Sequence, residues 1–289
     1  MILPQLSDIK SRISGTFFMR ILVTGASGLL GKTLCPMLDE EGWQYWGCNS
    51  KIFDVTDTKM VNEIMNKISL DFIIHLAAFT NIDLAEADPK KAFEVNQLGT
   101  KNIANIARKH NIPILYVSTD NVFDGNSTVP YKTTDATNPI NEYGKSKLAG
   151  ENEIIKATKK YYILRTSWLY GTGGYVDAML TFSNFRREIS VVNDQVGCPT
   201  SCVELSKKII EIIKENKPYG IYHVTSSGHA DWAEFTKKIF EIKKRNVEVV
   251  SLDKSEFPRP AKRPKYCVLD SSVSMPDWQN SLEEYLTKK

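Results

Sequence analysis

A chain of 289 residues is long enough for one large α/β domain or two smaller ones. With 42% hydrophobic and 25% charged residues it has ordinary globular composition, and 37 basic against 34 acidic residues leave a formal charge of +3, too slight an excess for a nucleic-acid partner. No apolar run approaches the roughly 18 residues that span a bilayer. The five cysteines, odd in number and without a C-x-x-C, indicate neither a disulfide framework nor a zinc site, so a reducing cytoplasm fits best.

Residues 1–18 have no clear period and lack the cationic-then-apolar layout of a signal peptide, with Asp8 and Lys10 interrupting the run; they read as a peripheral arm or an upstream extension. From Met19 a βα alternation begins. "RILVTG" is a buried strand and "LLGKTLCPMLDEEG" a helix ending at Gly42; "WQYWGCN" and "DTKMVNEIMNKIS" repeat the pair. "DFIIHLAA" is a third strand, followed by one long helix through "PKKAFEVNQLGTKNIANIARKH". "PILYVST" is a fourth strand, a helix starts near Tyr143, and "YYILRTS" is a fifth strand. Short apolar runs separated by helices of this length predict βαβ units and a parallel sheet.

After about residue 166 the rhythm changes to a mixed pattern: "EISVVNDQVGCPT" as a strand running into a Gly/Pro turn, the helix "SCVELSKKIIEIIKEN", the strand "GIYHVTS", the helix "ADWAEFTKKIFEIKK" and the strand "VEVVSL". The proline-rich "FPRPAKRP" leads to a last short strand and the final helix "SLEEYLTKK". The expected division is an extension over 1–18, a doubly wound dinucleotide domain over 19–166 and a smaller mixed α/β substrate lobe over 167–289. That last boundary is soft, since the lobe can share an element with the first sheet.

"VTGASGLLG" spaces Gly25, Gly28 and Gly31 between the first strand and its helix. In that context the first glycine turns the chain tightly, the second lets backbone approach a pyrophosphate at the helix N-terminus, and the third allows close helix–strand packing. Ser27, Leu29 and Leu30 complete the turn. The second strand ends in Asn49, Ser50 and Lys51 instead of a carboxylate, which suits the 2′-phosphate of NADPH, with NADH as the alternative. Asp54, beside Val55, can accept from an adenine amino group or cap the next helix, although Asp57 or Thr56 serves better as a cap. Ala77 and Ala78 are small enough for a cofactor to lie against the third strand, or are plain sheet packing. Together these predict a Rossmann-type fold.

Val117, Ser118, Thr119 and Asp120 close the fourth strand, at the carboxyl edge where open parallel sheets bind ligands. "NEYGKSKLAGE" then sets Tyr143 and Lys147 four apart on one helical face. Such a pair occurs by chance on many surface helices. Here it follows a dinucleotide turn in the right order, so the ammonium is expected to pull the phenol down from about 10 and make it a proton donor or acceptor. The four histidines (His75, His110, His223 and His229) show no ligand spacing, and no metal is expected.

At this point the sequence resembles the extended short-chain dehydrogenase/reductase superfamily and, within it, the dTDP-4-dehydrorhamnose reductase branch. The resemblance runs from Met19 almost to the end, through "TGASGLLG", "FDVTD", "AAFTNIDLAEADP", "STDNVFDG", "NEYGKSKLAGE", "RTSWLYG" and "VVNDQVGCPT". It implies hydride transfer from the nicotinamide to the C4 ketone of dTDP-4-dehydro-β-L-rhamnose, with Tyr143 protonating the oxygen. Lys147 would hold the nicotinamide ribose and Thr119 would polarise the carbonyl. Asp120 would orient sugar hydroxyls, and Trp168 would offer a flat face to sugar or base unless it is a core aromatic. Arg259, Lys262 and Arg263 would face the diphosphate unless they form a solvated basic loop. This chain departs from the branch with Leu29 where a glutamine is usual, and with Tyr266 and Cys267 after Arg263 and Pro264 where Asn-Ser is usual. Those departures keep open another nucleotide-linked 4-keto-6-deoxyhexose as substrate. A non-catalytic NADP-binding module similar to the regulatory subunit of methionine adenosyltransferase is the other alternative. A nucleotide sugar is the expected small-molecule partner, with no nucleic acid and no membrane, and a homodimer stays open.

Overall fold

The computed structural model describes residues 19–252 and 258–289; the extension expected over 1–18 lies outside the described residues, as does the start of "FPRPAKRP". Strand β1 (Arg20–Thr24) leads through the glycine turn into α1 (Leu29–Glu40), and β2 (Gln44–Cys48) leads into α2 (Thr58–Met65). After β3 (Phe72–His75) come α3 (Ile82–Ala87), α4 (Pro89–Phe93), a π-helical turn (Glu94–Gly99) and α5 (Thr100–His110). Strand β4 (Ile114–Thr119) runs into a short 3-10 turn (Asp120–Val122), and α6 (Glu142–Ala157) and β5 (Tyr161–Thr166) follow. Then come β6 (Leu169–Tyr170), α7 (Tyr175–Phe182), β7 (Glu188–Val192), β8 (Val196–Gly197), β9 (Thr200–Ser201) and α8 (Cys202–Lys214). The chain closes with β10 (Gly220–His223), β11 (Ala230–Asp231), α9 (Trp232–Ile242), β12 (Glu248–Leu252) and α10 (Trp278–Thr287).

Six strands form one parallel sheet in the order β2-β1-β3-β4-β5-β10. Its sixth strand comes from the segment after residue 166, so the sheet and the C-terminal lobe share an element. Alternate strand residues point to opposite faces. Ile21, Val23, Ile74, Leu115 and Leu164 pack on α1 and α8 through Leu34, Leu38, Leu205 and Ile209. Leu22, Ile73, Ile114, Tyr116 and Ile163 pack on α2, α5 and α6 through Val61, Ile103, Ala107 and Ile154. Strand runs apolar at every position are the expected signature of a sheet covered on both faces. A further core gathers Tyr170 from β6 with Met179, Phe235, Ile239, Trp278 and Leu282 from α7, α9 and α10.

Two local expectations change. The helix read as continuous over 89–110 contains the π-helical turn, which carries Asn96 inward. Its amide accepts from Phe79 N at 2.8 Å and donates to Phe79 O at 3.0 Å and Ser146 Oγ at 2.9 Å, tying the segment to the chain after β3 and to α6. The last short strand, expected after Pro264, is reduced to isolated bridges at Tyr266 and Leu269, because the two residues pair with different partners, Val196 and Tyr131.

Candidate active site

The strand order reverses direction at β1 and β3, and a cleft of about 710 Å³ opens at their carboxyl ends. Gly25 has φ +68°, and a Cβ there would stand 2.6 Å from Ala77 N, so both the turn and the close approach to the end of β3 require glycine. A Cβ on Gly31 would come within 2.6 Å of the Ala26 backbone. Gly28 caps α1 in an extended conformation and makes no side-chain cap, leaving the first-turn N–H groups without a side-chain acceptor. This cradle fits a dinucleotide pyrophosphate. Ser27, Leu29, Leu30, Asn49, Ser50, Asp54, Val55, Ala77 and Ala78 all stand in the wall with the three glycines.

Lys51 does not. Asn49 O accepts from Ile52 N and Phe53 N, and Asn49 Oδ1 accepts from Lys51 N, so the chain reverses, burying Phe53 and leaving Lys51 exposed outside the wall. Asp54 is no helix cap: its Oδ1 accepts from Thr56 N at 2.9 Å and Thr56 Oγ1 at 2.8 Å, while Asp57 caps α2.

At the end of β4 the structure brings Val117, Thr119, Asp120, Tyr143 and Lys147 to the same cleft. Lys147 is almost wholly buried; its Nζ donates to Val117 O at 2.8 Å and lies 3.9 Å from the centre of the Tyr116 ring. Burial pulls the Lys147 ammonium down to about 7, against the opposing pull of Glu151. One turn further along α6, Glu151 accepts from Arg165 Nε at 3.0 Å, Arg165 Nη2 at 2.7 Å and Ser118 Oγ at 2.5 Å, locking the helix to β4 and β5.

The expectation that Lys147 lowers the Tyr143 phenol is corrected here. Burial pushes Tyr143 up to about 12, the Thr119 hydroxyl offsets this in part, and the ammonium is turned toward the Val117 carbonyl and the Tyr116 ring. At neutral pH the phenol therefore keeps its proton, as a donor must. Thr119 Oγ1 donates to Asp120 Oδ1 at 2.9 Å and accepts from Asn121 N at 3.1 Å. Asp120 also accepts from Asn121 Nδ2 at 2.9 Å and Ser167 Oγ at 2.7 Å; burial raises its carboxyl above the usual range despite these donors.

At the other end Trp168 faces the cleft with φ +43°, stacked on Trp232 with ring centres 3.7 Å apart and planes 10° from parallel. Gly197 accommodates the indole, because a Cβ there would be 2.6 Å from it. Arg263 also lines the cleft, and its Nη2 donates to Asp83 Oδ2 at 2.8 Å. Arg259 stands outside the wall, held to the same Asp83 oxygen at 3.2 Å. Ala261 N donates to Asp83 Oδ1 at 3.2 Å. Against partial burial, these donors keep the Asp83 carboxyl below its ordinary range. Residues assigned no role from the sequence also line the site: Asn121, Ser167, Gln195 and Trp232, together with Cys267, noted above only as a departure from the branch. Gln195 and Asn121 lie inside stretches whose pattern had drawn notice, whereas Trp232 opens a helix far along the chain and carried no signal.

A family model described as RmlD substrate binding domain matches residues 19–289. The spore coat polysaccharide biosynthesis protein SpsK of Bacillus subtilis (strain 168) is 34% identical over 278 residues, 93% of this chain and 98% of that protein. The dTDP-4-dehydrorhamnose reductase of Aggregatibacter actinomycetemcomitans is 35% identical over 285 residues, 91% of this chain and 97% of its own. A crystal structure of dTDP-4-dehydrorhamnose reductase from Bacillus anthracis str. Ames in complex with NADP superposes with a TM-score of 0.92 at 36% identity, covering 94% of this chain and 100% of that one. The chain belongs to the RmlD substrate binding domain family and is a relative of the dTDP-4-dehydrorhamnose reductases along nearly its whole length.

Proposed function

We propose that this protein reduces the C4 ketone of dTDP-4-dehydro-β-L-rhamnose to dTDP-β-L-rhamnose with NADPH. The observation that carries the reading is one continuous cleft with the glycine cradle at one end, Thr119, Tyr143 and Lys147 in the middle, and Trp168 and Arg263 at the other. Relatives described as dTDP-4-dehydrorhamnose reductases, one of them in complex with NADP, support it. The cradle and the β1 and β3 ends would hold the dinucleotide, and Asn49 and Ser50 in place of a carboxylate favour a 2′-phosphate. Bound there, the nicotinamide supplies the hydride.

Tyr143 delivers its phenolic proton to the carbonyl oxygen as C4 is reduced, and the tyrosinate recovers a proton from water. The Lys147 ammonium stabilises negative charge as it develops and holds ribose hydroxyls. The single Thr119 hydrogen is donated to Asp120, so polarising the ketone requires that hydroxyl to turn from the carboxylate to the substrate. With three side-chain donors on it, Asp120 acts by holding Thr119, Asn121 and Ser167 in place rather than as a free sugar contact. Trp168, backed by Trp232, presents a flat face to sugar or base, and Arg263 offers a planar fork to the diphosphate. A reducing cytoplasm suits the five free thiols, and no helix among the described residues is long and apolar enough to cross a membrane.

The test is direct. Purified protein given NADPH and dTDP-4-dehydro-β-L-rhamnose should oxidise the cofactor and form dTDP-β-L-rhamnose stoichiometrically. Turnover with a different 4-keto-6-deoxyhexose nucleotide and none with this one would reject the substrate, and no turnover with any would reject the enzyme.

A further inference from the structure

The catalytic helix begins at Asn141, two residues before the proton donor, and this side chain is fully buried. As the cap of α6 its Oδ1 accepts from Gly144 N at 2.8 Å. Its amide nitrogen donates to Asn121 Oδ1 at 3.1 Å and to Lys262 O at 2.9 Å. The orientation follows from the partners, since Gly144 N needs an acceptor and Lys262 O needs a donor. Serine and aspartate cap helices as well as asparagine does, but asparagine is the one with an amide and its two donors. A cap alone therefore does not account for the residue.

The contacts form a continuous path. Lys262 lies between Ala261 and Arg263, which are fastened to Asp83 on α3, so the arginine-bearing loop has one anchor on each side: Asp83 and Asn141. Beyond Asn141, Asn121 donates to Asp120 Oδ1 through its side chain and to Thr119 Oγ1 through its backbone. There is little slack at the joint, because a Cβ on Gly144 would stand 2.1 Å from Asn121 O. We propose that Asn141 is a positioning residue that couples the diphosphate-binding loop to the Thr119–Asn121 turn and the first turn of the catalytic helix, so that a seated nucleotide sets the hydroxyl and the phenol. The inference rests on Thr119 and Tyr143 as reacting groups and on Arg263 as the diphosphate contact.

Asn141→Ser keeps a capping oxygen and removes both donors. Two buried hydrogen bonds of ordinary strength, expressed fully in the positioning of the reacting groups, correspond to roughly a thirty-fold fall in kcat/KM. The fall should be divided between a lower kcat and a higher KM for the nucleotide sugar, with NADPH affinity unchanged. In an Arg263→Met background the KM component of Asn141→Ser should vanish, since the loop no longer reports a bound diphosphate. Wild-type kinetics in Asn141→Ser, or effects that simply multiply in the double variant, would overturn the proposal and leave a helix cap. Should Asn141→Ser fail to fold, Asp83→Asn loosens the same loop at its other anchor, and an unchanged KM there would overturn it equally. Titration with dTDP and the turnover of Tyr143→Phe test the underlying site on their own. Unchanged dTDP affinity in Arg263→Met, or full activity in Tyr143→Phe, would count against that reading whatever Asn141→Ser does.

Discussion

Lys147 is the residue on which the electrostatics turn. It sits between a carbonyl, an aromatic face and the more distant Glu151, and burial brings its proton affinity to about 7. The charged form is present below that value and lost above it. If the ammonium stabilises developing negative charge, kcat/KM should decline as pH rises through about 7, and Lys147→Met should be slow and show no such limb. Tyr143, pushed up to about 12, keeps its proton across the same range and adds no limb of its own. A native profile that stays level through neutrality would contradict this account of Lys147. The Tyr143–Lys147 pair was legible in the sequence from its spacing. Its electrostatics were not, because they depend on Tyr116 and Val117, which come from a different element.

Among the elements, α6 carries both Tyr143 and Lys147, and what fixes it is buried charge. Glu151 and Arg165 are 1% and 4% exposed in their side chains and joined by two hydrogen bonds, with Ser118 on the same carboxylate. Removing one charge leaves the other buried without its partner, which costs roughly 3–5 kcal/mol. Glu151→Gln should lose about that much stability in urea unfolding, and a loss under about 1 kcal/mol would show that the pair is not what holds α6. The strands and most helices follow from short apolar runs and period. The π-helical turn does not, since "PKKAFEVNQLGTKN" keeps a helical pattern and the extra residue is drawn out by Asn96 reaching the Phe79 backbone. The cap of α2 was readable to within Asp57 or Thr56, because a cap is a local interaction, and the structure places it at Asp57.

Across the whole molecule, the glycine cradle and the β4 edge could be found from sequence because each is made by neighbouring residues. The far end of the cleft is assembled from distant segments: Arg263 meets Asp83 across 180 residues, and Trp168 stacks on Trp232. Pairings at that separation leave no periodic trace, which is why Arg263 was expected to face a ligand and its carboxylate partner was not foreseen. The same distance explains why β10 completes the first sheet although its segment reads as part of the lobe. The central claim is that the Tyr143 phenol supplies the proton in a ketone reduction. It is tested most directly by steady-state turnover of Tyr143→Phe alongside a direct titration with NADPH. Loss of the hydroxyl alone should lower kcat by roughly 10²–10⁴-fold with NADPH affinity unchanged. Turnover within a few-fold of the native enzyme would contradict it.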